Sequence, residues 1–137
     1  MTAKINLILF ILMISSMSCK AQQTNGSSSD VISITSKLIG AWVSEDDANW
    51  TIEFTTDGKC YWHYTNDDTD THDFSVSTSS PQCGYDVRTN VTEDFYLRLI
   101  DQSDASESCY EILGVNEDSL SLSTISLTVK NYLFNKQ

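Results

Sequence analysis

The chain has 137 residues, 40% of them hydrophobic and 10% aromatic, with 19 acidic against 8 basic side chains, one Pro and four Cys. That length is one domain's worth, and the apolar content excludes a disordered chain, which has too little to bury. A formal net charge of -11 excludes nucleic acid as a partner, because a phosphate-binding surface needs a basic stripe, and it disfavours an acidic substrate.

At the start, Lys4 precedes an apolar run over residues 7–14, and small residues follow before Cys19. This is a secretory signal-peptide pattern over residues 1–18; its apolar run is well short of the roughly 20 residues that span a bilayer. Ser16-Met17-Ser18-Cys19 resembles the lipobox of bacterial lipoproteins, and Lys20-Ala21-Gln22 resembles the start of many Bacteroidetes lipoproteins. The resemblance implies cleavage before Cys19 and acylation of that residue, palmitate included, so that the membrane is a partner through the lipid anchor. The same resemblance implies a periplasm-facing outer-membrane lipoprotein, since Cys19 is not followed by the Asp that retains such proteins in the inner membrane and residues 22–29 lack the charged run of a surface-export signal. Cleavage after Ala21, leaving a free protein, is the alternative. Gln22 to Asp30 is polar and Gly/Ser-rich, so residues 19–36 read as the lipidated Cys followed by a flexible tether. Asn25, Asn49 and Asn90 begin glycosylation-like triplets that arise by chance in a Ser/Thr-rich chain.

From residue 37 onward the pattern is strand after strand. Trp50 to Thr55 alternates apolar and polar, and Lys59 to Tyr64 follows across Thr56-Asp57-Gly58, a hairpin signal in which Gly supplies the positive φ of the turn. Leu38–Ser44 supplies an opening strand, with a helical turn conceivable over Ser33 to Leu38. Further runs fall at Asp73–Thr78, Gly84–Arg88, Phe95–Asp101, Ser108–Val115, Ser119–Thr124 and Leu127–Phe134. Eight or nine short strands joined by hairpins predict an all-β domain over residues 37–137, with a small antiparallel up-and-down barrel preferred because closure removes exposed edges. A two-sheet sandwich has the same strand count and spacing.

Lys37-Leu38-Ile39-Gly40-Ala41-Trp42 resembles the Leu-x-Gly-x-Trp opening of lipocalin-like domains, and Thr51 to Gly58 resembles their second strand with its Asp57-Gly58 turn. Ser119 to Leu122 and Asn131 to Lys136 look like the closing strands of the same domains. The resemblance implies that Gly40 permits a tight bend where the first strand enters the barrel and that Trp42 plugs its closed end. The domain is shorter than a full lipocalin, so a roomy calyx does not follow.

If Cys19 carries lipid, three cysteines remain for at most one bridge. Cys60, Cys83 and Cys109 fall near the starts of the third, fifth and seventh expected strands, at one barrel end. Strands two apart are separated by roughly 9 to 10 Å, too far for a disulfide unless one partner lies in a loop, as Cys83 does after Pro81. The expected pair is therefore Cys83 with Cys109, leaving Cys60 buried and inert; a reactive thiol at Cys60 is the alternative. Asn66 to Asp73 gathers oxygen ligands and His72, yet it lacks the Gly and Glu of a calcium loop, and a solvated hairpin tip is the preferred reading. No metal or other cofactor is expected. There is no nucleophile elbow, phosphate loop or metalloprotease motif, and adjacent carboxylates such as Asp46-Asp47 do not face each other across a cleft, so no catalytic residue is assigned and the chain is not read as an enzyme. Burial of His63 or His72 beside carboxylates would reopen that reading.

Trp50, Phe54, Trp62, Tyr64, Phe74, Tyr85, Phe95 and Tyr110 are expected to project inward from successive strands. In a lipocalin-like barrel such residues imply a pocket for a small hydrophobic ligand, entered at an end lined by Trp62, Tyr64 and Tyr85. The rival is a barrel filled by its own rings, leaving a protein-interaction or inhibitor module that engages an envelope protein partner.

Overall fold

The structure, a computed structural model, describes residues 28–89 and 94–137. The leader, Cys19, the tether as far as residue 27, Asn25 and Asn90 lie outside the described residues. Eight antiparallel strands follow one another around a closed up-and-down barrel: β1 (Gly40–Ser44), β2 (Trp50–Phe54), β3 (Lys59–Tyr64), β4 (Asp70–Ser77), β5 (Phe95–Asp101), β6 (Glu107–Val115), β7 (Ser119–Thr124) and β8 (Asn131–Lys136), with β8 returning to β1. Closure excludes the sandwich.

Alternation decides which side chains fill the interior. Ile52 and Phe54 of β2 stand in register with Trp62 and Cys60 of β3, Leu97 and Leu99 of β5 with Val76 and Phe74 of β4, and Leu120 and Leu122 of β7 with Phe134 and Tyr132 of β8. In β6 a bulge between Ile112 and Gly114 shifts the phase by one residue. Leu113 is thereby exposed while Val115 packs against the core.

The stretch expected as tether ends earlier than residue 36, because Ser28–Leu38 forms a helix, α1. Its Ser-rich composition reads as linker, but Val31, Ile34 and Leu38 recur at helical spacing and pack on the barrel core. Asp30 in the first turn and Lys37 in the last complement the helix dipole. Leu38 at the C-terminus of α1 is fully buried. Trp42 lies beside it, and its indole N–H donates to Leu38 O at 2.7 Å. Lys136 Nζ sits 4.0 Å from the Trp42 ring centroid and donates to Ile39 O at 2.5 Å, while partial burial lowers its pKa. Gly40 makes room for this lysine: its φ is +121°, and a Cβ there would stand 2.7 Å from Lys136 Nζ. This end of the barrel is closed, and the Trp42 N–H and the Lys136 ammonium both have partners there.

A second correction concerns Gly84–Arg88, which is a loop. With β4 and β5 already paired to each other, no strand edge is left for it. The connection instead crosses the outer wall. Gln82 and Tyr85 exchange backbone hydrogen bonds in a tight turn, with Cys83 and Gly84 at positive φ. Cys83 is bonded to Cys109, Tyr96 donates to Arg88 O at 2.7 Å, and Arg88 pairs with Glu111. The disulfide joins the expected partners on the outer face of β6, beside the 125–130 loop. Among the described residues Cys60 is the free, buried thiol, and desolvation pushes its pKa up to about 12. The last strand also begins later than expected, at Asn131, because Thr124 and Ser126 bond to Thr128 and Lys130 and close a loop there.

Candidate functional site at the open end

Opposite the plug, the loops 45–49, 65–69, 102–106 and 125–130 surround the other mouth of the barrel. Just inside it the alternation of β2, β3, β6 and β8 brings together Trp50, Trp62, Tyr110 and Tyr132. Trp50 and Trp62 lie 5.1 Å apart between ring centroids, Trp50 meets Tyr132 edge-on at 5.0 Å, and Trp62 and Tyr110 are 6.3 Å apart. His72 on β4 completes the circle, 6.1 Å from Trp62. These are ordinary separations for interacting aromatic pairs. Beneath them Phe134 meets Trp50 edge-on, and Phe54 meets Phe74.

The expected binding residues thus divide into three groups. Trp50, Phe54, Trp62, Phe74, Phe95 and Tyr110 belong to the interior. Tyr64 is in phase with them but stands at the rim, 43% exposed, and donates a hydrogen bond to Asp47. That bond lowers the pKa of Asp47 and raises that of Tyr64. Tyr85 lies outside the barrel beside the disulfide, because its segment is the outer loop. Tyr132 and Phe134 were absent from the expected set although they alternate with Leu133 and Asn135; the same period-two signal marks them. Tyr110 is buried enough for desolvation to raise its pKa to about 12.

An open depression of about 400 Å³ lies above Trp62, lined by Trp62, Tyr64, Asp67, Asp68 and Asp70. In the ring layer against Trp62, though not in the lining of the depression, two buried ring nitrogens have no hydrogen-bond partner, Trp50 Nε1 and His72 Nδ1. Buried polar atoms are normally satisfied, so both mark a place where the fold does not complete itself. A larger depression of about 520 Å³ at the closed end, between Ser36, Ile39, Asn116 and Lys136, presents no aromatic ring. Its lysine is already engaged with Ile39 and Trp42.

His72 meets the condition set for a catalytic reading in one respect: its Nε2 is 3.4 Å from Asp101 Oδ2, and both side chains are largely buried. Asp101, however, is held in its ionised form first by the Ser103 hydroxyl and backbone N–H, with His72 a lesser contributor. Asp101 thus serves its own turn more than it activates the imidazole. Among the described residues no group of His, Cys, Asp and Glu is arranged to hold a metal ion.

No protein-family model, curated protein or solved structure matches this chain.

Proposed function

We propose that the protein is a lipocalin-like lipoprotein, anchored through Cys19 on the periplasmic side of the outer membrane, that binds a small hydrophobic ligand and catalyses no reaction. The observation that carries the reading is the aromatic layer at the open mouth. Trp62 is half-buried at the foot of a depression that Tyr64 also lines, and Trp50, Tyr110 and His72 pack against the Trp62 ring. Rings supply apolar area, and a few polar atoms orient the guest.

The interior supports a shallow site rather than a deep calyx. Eight strands give a barrel whose side chains just fill it, and the rings here touch at centroid distances of 5.0 to 6.5 Å. That filling also favours the second reading, a protein-interaction module. The β7–β8 loop would then be the contact, since Leu127 is 93% exposed and Val129 66%.

Native mass spectrometry separates the two. The full chain, expressed with its leader and purified from its own envelope in a mild non-ionic detergent, is expected to carry a small molecule that disappears on denaturation and is missing from Trp62→Ala. A bare mass, unchanged after incubation with a lipid extract of the same cells, overturns the ligand reading and leaves the protein-partner module. The anchor is checked by labelled palmitate, which Cys19→Ala should fail to incorporate.

A further inference from the structure

The outer wall carries a site of a different kind. A depression of about 300 Å³ opens between the disulfide turn and the β7–β8 loop, and both cysteines of the bond line it, together with Tyr85, Glu107, Ile125 and Ser126. Cys83 is partly exposed there, whereas Cys109 is only 4% exposed. The two ends of the bond are therefore unequal, and an incoming group reaches Cys83 first. Cys83 also holds φ at +45°, with Gly84 after it at +81°. Left-handed backbone is easy for the glycine but costs a residue with a Cβ, and a released turn need not hold it.

Directly opposite Cys109 across β5 and β6 stands Arg98, on the same outer face. Its terminal nitrogen pairs with Glu107, but its Nε is buried and has no hydrogen-bond partner. Buried donors are normally satisfied, and a thiolate at Cys109 would supply the acceptor and the negative charge that this one lacks. Structural disulfides resist small thiols, while exposed or strained ones are those that exchange. Among the described residues the remaining cysteine, Cys60, is buried inside the barrel and does not compete.

We propose that Cys83–Cys109 is a thiol-exchange site, opened in the folded protein by a dithiol reductant that attacks Cys83 while Cys109 leaves beside Arg98. The reductant's thiolate bonds to Cys83 Sγ as the S–S bond breaks, and Cys109 departs with the electron pair as a thiolate. A second thiolate of the reductant then attacks its own sulfur in the mixed disulfide and releases Cys83. The protein gains two electrons and two protons, and the reductant leaves as a disulfide. This site is independent of what the open mouth binds.

The full chain in non-ionic detergent is incubated at neutral pH with reduced glutathione and, separately, with dithiothreitol, then alkylated without denaturant and mapped by mass spectrometry. Alkylation of Cys83 and Cys109 with Cys60 untouched is expected, because Cys60 is fully inaccessible until the barrel unfolds. Arg98→Gln should slow the opening about ten-fold, the worth of one hydrogen bond to a charged group. Glu107→Gln breaks the same ion pair but keeps the Nε donor, and should not slow it. A bond that stays closed under both reductants, or labelling of Cys83 and Cys109 only together with Cys60, overturns the proposal and leaves a purely structural cross-link. An unchanged rate in Arg98→Gln, or equal slowing by both substitutions, overturns the part given to Arg98.

Discussion

Two tryptophans show how differently the ends of this barrel are built. Trp42 at the closed end is wholly inaccessible, its N–H bonded to Leu38 and its face covered by Lys136. Trp50 at the open end keeps its ring among other rings, with its buried N–H unpartnered, and its neighbour Trp62 reaches the surface depression. The Trp42 indole is fully engaged because helix α1 and the last strand bring a carbonyl and a cation to it. The open end has loops of mostly acidic charge, and among the described residues no helix covers it. One ring is committed to stability, and the others are free to meet something else.

The sharpest way to break this contrast is to remove each ring in turn. Trp42→Ala should cost about 3 to 5 kcal/mol in denaturant unfolding, the range for a large aromatic truncated in a tight core. Trp62→Ala, at a half-buried position, should cost less than half as much yet abolish the co-purifying small molecule. Equal losses of stability would erase the distinction between the ends. Next in size is the Cys83–Cys109 bond, which closes a separation of 26 residues on the outer wall. Replacing both cysteines by Ser should lower stability by about 2 to 4 kcal/mol.

A smaller effect is expected at Gly40. Gly40→Ala places a Cβ against Lys136 at a positive φ, and should destabilise by about 1 to 2 kcal/mol. Lys136→Met should relieve part of that loss, readable as non-additivity in a double-mutant cycle. Cys60 reports on the integrity of the closed interior: with its pKa raised by burial to about 12, it should resist thiol reagents at mildly alkaline pH until the barrel unfolds.

The smallest effect belongs to the rim. Asp47 has a lowered pKa because Tyr64 donates to it, so the contribution of this bond to stability is present above the ordinary carboxylate pKa. It is lost as pH falls through the lowered value. Conversely, Tyr64 should ionise at higher pH than a free tyrosine, and Asp47→Asn should bring it back, as followed by ultraviolet absorbance titration.

Much of the barrel was legible in the residues. The Asp57-Gly58 turn and the alternation on either side of it predict the β2–β3 hairpin in its observed register. Phe95 to Asp101 and Ser119 to Thr124 form strands over the expected residues. The site was legible in part. Trp50, Trp62 and Tyr110 follow from alternation, whereas Tyr85 reads as inward only because Gly84–Arg88 mimics a strand. His72 reads as part of a solvated hairpin tip, while β4 starts earlier than expected and carries it into the aromatic layer.

The sequence by itself determined the strand repertoire, the hairpin turns, the alternation that sorts core from surface, and the cysteine partners. These are local properties, set by side-chain period, by glycine at a turn and by the reach of a disulfide. Only the tertiary structure decided that eight strands suffice, that residues 28–38 plug one end, and which rings share the other. A strand's period says which face a residue takes, but not which strands will lie across the barrel from it. That depends on closure, where β8 meets β1 and each inward residue acquires neighbours distant in the chain.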